Sequence, residues 1–138
     1  MVMTLDTSAT EFEPSSGLRI EATKVTPRIE YWAETATMMI TGVSMPEDAV
    51  VFYEPIMNWL RAKPFIKGRS VDVHFRLDYF NTSSAKVLLE MFLQLDELYR
   101  KGYQLNLIWE FEAGDEQLRE VGEEFGLLVS CPIRLTEY

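Results

Sequence analysis

Leu77-Asp78-Tyr79-Phe80-Asn81-Thr82-Ser83-Ser84-Ala85-Lys86 is the stretch on which the rest of the chain turns. Before it, Ser70–Tyr79 alternates: Val71, Val73, Phe75, Leu77 and Tyr79 fall on one face, Asp72, His74, Arg76 and Asp78 on the other. That period of two is the mark of a half-buried strand. After it, Ala85, Leu88, Leu89, Phe92, Leu95 and Tyr99 recur at helical spacing, which predicts a helix from about Ser83 to Lys101, ended by Gly102. Val87, Met91 and Leu98 widen the apolar stripe, either as core or as a docking or dimer surface. Asn, Thr and Ser at the junction are the residue types that cap helix N-termini. The same helix end carries roughly half a positive charge and tolerates added negative charge. A hydroxyl on this strand-to-helix corner therefore has two available roles, as a structural cap or as the acceptor of a phosphate.

Working outward, Leu18-Arg19-Ile20-Glu21-Ala22 alternates weakly, as a short strand or an extended lead-in. Arg28–Glu34 and Thr37–Gly42 are rich in aromatic, β-branched and Met residues and are joined by a short polar link, which predicts an antiparallel hairpin entered through Pro27. Ser44-Met45-Pro46-Glu47 has capping-box spacing, and a helix is expected from about Glu47 to Ala62, kinked or loosened at Pro55. Downstream, Tyr103–Phe111 alternates as a further strand. Asp115 caps a shorter helix carrying Leu118, Val121 and Phe125 and stopped by Gly126. Leu127–Leu135 is extended and interrupted by Pro132, which suits an edge. The order ββαβαβα, with a possible terminal strand, predicts an α/β fold. Its sheet would be mixed, with four to five strands and helices mainly on one face. Residues 1–17 mix Thr, Ser, Pro and acids without periodicity and are expected to form a mobile N-terminal tail, with 18–138 as a single domain.

Composition excludes several functions. The net charge of -9 argues against a nucleic-acid partner, whose phosphates require clustered Lys and Arg. No apolar run approaches the ~20 residues that span a bilayer, so no membrane insertion is expected. Met1–Thr10 has neither the basic start nor the apolar core of a secretory signal. The single cysteine, Cys131, fits a reducing compartment, and a cytoplasmic location is expected. One His and one Cys at unlinked positions assemble no catalytic set, and the isolated glycines form no phosphate-cradling loop. No enzymatic activity, cofactor or metal is expected.

The strand-to-helix corner in this architecture looks like that of the STAS fold of anti-sigma-factor antagonists, which carry a phosphorylated Ser or Thr there. The run Tyr79–Lys86 more specifically resembles the signature of the SiaC family of bacterial regulatory phosphoproteins. Thr26-Pro27, Gly42-Val43-Ser44, Pro46-Glu47, Phe52-Tyr53, Pro55-Ile56 and Trp59-Leu60 resemble that family at the expected places, so the likeness covers roughly Leu18 to Leu135. The chain departs from the family pattern at Met45, where an aromatic is usual, at Asp48, where Asn is usual, and in a hairpin without the usual Gly.

The resemblance implies a non-enzymatic partner switch. Its acceptor would be Thr82, with Ser83 and Ser84 as secondary candidates. A partner kinase would phosphorylate it and a metal-dependent PPM-type phosphatase would reverse the step. The unphosphorylated form would bind and activate a diguanylate cyclase, linking the protein to cyclic-di-GMP, aggregation and biofilm formation. An anti-sigma factor is the alternative partner. Phe80, Asn81, Thr82, Ser83, Ser84 and Lys86 would form the partner surface, with Phe80 either an anchor for the partner or a residue tucked under the helix.

Overall fold

A computed structural model describes residues 17–138, and before them only the backbone of Met3–Thr4 and Thr10–Glu13. The expected mobile tail therefore lies largely outside the described residues. The elements run β1 (Met3–Thr4), β2 (Thr10–Glu13), β3 (Gly17–Ile20), β4 (Arg28–Trp32), β5 (Thr37–Ser44), α1 (Ala49–Arg61), β6 (Val71–Phe80), α2 (Thr82–Arg100), β7 (Leu105–Phe111), α3 (Glu116–Leu128) and β8 (Ile133–Glu137). They build one sheet in sequential order, antiparallel from β1 through β5 and parallel from β5 through β8. Helix α1 packs against α2 and α2 against α3, so all three lie on one face, as crossovers of one hand stepping in one direction require.

Within residues 17–138 the sheet has six strands rather than the expected four to five. The lead-in Gly17–Ile20 is a true strand, held by two deeply buried side chains, Leu18 and Ile20. The hairpin turns through Ala33–Ala36, and Ala36 itself takes the left-handed conformation (φ 51) that a glycine usually supplies. Helix α1 begins later than the capping-box spacing suggested. Asp48 is its cap, accepting from the Val51 N–H at 3.2 Å, while Ser44 ends β5 and is buried. The helix runs unbroken through Pro55. Helix α3 passes through Gly126 to Leu128.

The core lies between sheet and helices. Phe75 of β6 stacks on Phe92 of α2 at 4.4 Å between ring centroids, with Trp109 at 5.9 Å from each. Trp109 also donates its indole N–H to the Leu118 carbonyl at 2.9 Å, tying α3 to β7. Val87, Met91 and Leu98 are all buried, so the wide stripe on α2 is core and not a docking face. Each such side chain contributes about 1.5–3 kcal/mol through its removal from water.

The register between β5 and β6 slips once. Gly42 pairs with Leu77 but Val43 pairs with Tyr79, so Asp78 is an extra residue on β6. Gly42 lies opposite this bulge with φ +112, a conformation that side-chain-bearing residues rarely adopt. The insertion inverts the alternation, which overturns the expected facing of the two aromatics. Tyr79, expected inside, is 54% exposed, while Phe80 turns inward.

Candidate functional site

The corner is where the sheet hands β6 over to α2, beside the end of β5. Phe80 pairs with Ser44 in register, and the Asn81 N–H donates to the Ser44 carbonyl at 3.1 Å. Asn81 then leaves the sheet in an extended conformation (φ -87, ψ 176) and caps α2, its side-chain oxygen accepting from the Ser84 N–H at 2.9 Å. A cap of this kind is worth about 1 kcal/mol.

The four polar residues of the corner divide the work. Asn81 caps. Ser83 is exposed and donates its hydroxyl to the Asn81 side chain at 3.2 Å. Ser84 is fully buried and closes a chain of hydroxyls across the fold. Burial pushes the Tyr53 phenol up to about 12, against a smaller opposing effect of its bond to Ser44. Tyr53 therefore keeps its proton and donates to Ser44 Oγ at 2.7 Å. Ser44 Oγ donates onward to Ser84 Oγ at 2.8 Å, and Ser84 Oγ donates to the Ser44 carbonyl at 3.0 Å. Buried hydroxyls without partners would be costly, and here all three are satisfied.

Thr82 is left over. Its side chain is exposed at the first helical position and makes no hydrogen bond to any described residue. No acidic side chain stands in the first turn of α2 to repel an added negative charge. Lys86, also exposed, follows four residues later on the same face of the helix. Of the sequence candidates, Ser84 drops out as an acceptor, because its oxygen is sealed inside and already bonded. Phe80 is half-buried and meets Trp109 edge-to-face at 6.1 Å. It tucks beneath the helices and still forms one wall of a groove towards α3.

The residues weighed for catalysis are not brought together. His74 lies on the helix-free face of β6, with Nδ1 3.5 Å from Glu110 Oε1, and Arg76 reaches the other Glu110 oxygen at 3.2 Å. Arg76 also lies over the Tyr138 ring at 4.0 Å. Cys131 sits on the helix side, its thiol pushed up to about 12 by burial and by nearby Asp96. Among the described residues no group of three His, Cys, Asp or Glu is placed to hold a metal ion, and no helix is long and apolar enough to cross a membrane. Sequence reasoning missed Ser44 and Tyr53. Ser44 there imitates the start of a capping box, and its bond to Ser84 spans 40 residues.

Comparison with known proteins places these features in a family. The family model described as SiaC family regulatory phosphoprotein matches residues 20–138. An uncharacterised protein of Pseudomonas aeruginosa (strain UCBPP-PA14) is 28% identical over 120 residues, covering 87% of this chain and 95% of that protein. Apo-SiaC of Pseudomonas aeruginosa superposes with a TM-score of 0.77 at 26% identity, over 88% of this chain and 98% of the other. A crystal structure of the diguanylate cyclase SiaD in complex with its activator SiaC, from the same species, gives a TM-score of 0.80 at 26% identity, over 88% of this chain and 99% of the matched chain.

Proposed function

This chain belongs to the SiaC family of regulatory phosphoproteins, and from that premise we propose that it is a partner switch set by phosphorylation of Thr82. In the unphosphorylated state it binds and activates a diguanylate cyclase, as the SiaC of the crystallised complex is the activator of SiaD. A partner kinase charges Thr82 and a PPM-type phosphatase discharges it. The protein performs no turnover itself and acts in the cytoplasm.

One observation carries the choice of residue: Thr82 is exposed and free of hydrogen bonds to the described residues, whereas Asn81 holds the cap and Ser84 holds the interior. Phosphorylation adds about 1.5 to 2 negative charges and three acceptor oxygens. At the first position of α2 these meet the positive end of the helix and lie one turn from the Lys86 ammonium, so the fold keeps its shape. A partner packed on the corner would have to strip water from the phosphate and make room for it, and it is released.

The test compares the cyclase affinity of Thr82→Ala and Thr82→Asp. The alanine variant should bind as the parent does and the aspartate variant at least about tenfold more weakly, a difference of ~1.4 kcal/mol. Equal affinity of the two variants would remove the switch from this residue.

A further inference from the structure

Beside the corner, on the side away from α1, a groove of about 340 Å³ opens between the end of β6 and the start of α3. Its apolar surfaces are Phe80, Leu118 and Val121, with Tyr79 at its border, and its carboxylates are Asp78, Asp115, Glu120 and Glu124. Phe80 faces the groove because of the bulge at Asp78. Asp115 is occupied in capping α3, accepting from the Leu118 N–H at 3.1 Å. Asp78, Glu120 and Glu124 form no ion pair with any described residue. No Lys or Arg lines the groove. The N-terminus of α3 contributes roughly half a positive charge, much less than three carboxylates remove.

We propose that this groove receives a cationic side chain, an arginine or lysine on the surface of the protein partner that docks at Thr82. The proposal rests on the partner-switch reading and names the chemistry by which the partner is held. An apolar floor beneath a rim of unpaired carboxylates suits a long side chain that buries its methylene stem and keeps its charged head at the edge. The Phe80 ring is an aromatic surface on which a guanidinium stacks, which favours arginine. Phe80 lies two positions before Thr82 in the chain, so a partner covering the threonine reaches the groove with the same surface. This surface is attractive to a basic partner, and so a phosphate on Thr82 does not release it by like-charge repulsion. Bulk and hydration of the phosphate do so.

The experiment uses the full chain and the organism's own diguanylate cyclase, both purified, with affinity measured across a range of NaCl concentrations. Removing the groove charges by Glu120→Gln with Glu124→Gln should weaken binding about tenfold at low salt, and the gap from the parent should close as salt screens the contact. Both residues are exposed, so circular dichroism should show an unchanged fold. The binding lost in Thr82→Asp should persist at high salt. Unchanged affinity and salt dependence in the double variant, with Thr82→Asp still defective, would overturn the groove and leave the switch standing. Loss of self-association in the double variant, with cyclase affinity intact, would assign the groove to a second copy of the chain and equally overturn the proposal. If Thr82→Asp bound as tightly as the parent, the switch itself would fail.

Discussion

Ser84 Oγ donates to the backbone carbonyl of Ser44 at 3.0 Å, across 40 residues of chain. The same carbonyl accepts from the Asn81 N–H at 3.1 Å. One oxygen at the end of β5 thus fixes both the last residue before α2 and its first buried side chain. Thr82 lies between those two anchors and takes part in neither.

Stability and signalling should therefore separate within three consecutive residues. Ser84→Ala breaks the buried hydroxyl chain and leaves Ser44 with an unmet donor, at a cost of about 1–3 kcal/mol. Thr82→Ala removes no bond and should stay within about 0.5 kcal/mol of the parent. Urea unfolding of both variants checks this, and a Thr82→Ala loss as large as that of Ser84→Ala would give the threonine a structural role.

Gly122 lies in α3 directly over Trp109, where an added Cβ would come within 2.4 Å of the indole ring and 2.7 Å of Leu135. Both neighbours are held by packing, so Gly122→Ala should push α3 off the sheet and destabilise by about 1–3 kcal/mol, despite the better helix propensity of alanine. Thermal unfolding measures it. A stabilised variant would mean that α3 is free to lift.

Asp96 is fully buried, and it joins α2 to the segment before β8 by accepting from the N–H groups of Ser130 and Cys131, both at 2.8 Å. Burial works to raise its pKa. The Arg100 guanidinium and the two backbone N–H groups outweigh burial and hold the carboxyl below its ordinary value of 3.8. A depressed value means that the ionised form stabilises the fold above that ordinary value, and that the contribution is lost as pH falls below it. Asp96→Asn should be markedly less stable than the parent at pH 7, and the gap should narrow as pH drops below about 4. A gap of constant size across that range would contradict this assignment.

The sequence made the corner legible because the apolar period changes from two to 3.6 within a few residues of Asn81, and only a strand-to-helix junction does that. It left β3 uncertain, since Leu18 and Ile20 alone cannot distinguish a strand from extended chain. The bulge was hidden for a different reason. Tyr79 and Phe80 are both aromatic, so a one-residue slip exchanges their faces without changing the pattern of residue types. The same slip builds the groove, which is why its walls could not be read from spacing. Ser44 reads as a helix cap in the sequence because capping and long-range hydrogen bonding call for the same small hydroxyl.

The most direct measurement is the affinity of the chain carrying phosphothreonine at position 82, prepared at full occupancy, for its purified diguanylate cyclase, against the same chain unmodified. The account predicts binding about 100-fold weaker, a difference of ~2.7 kcal/mol, with an unchanged unfolding temperature. Equal affinity of the two forms would contradict it.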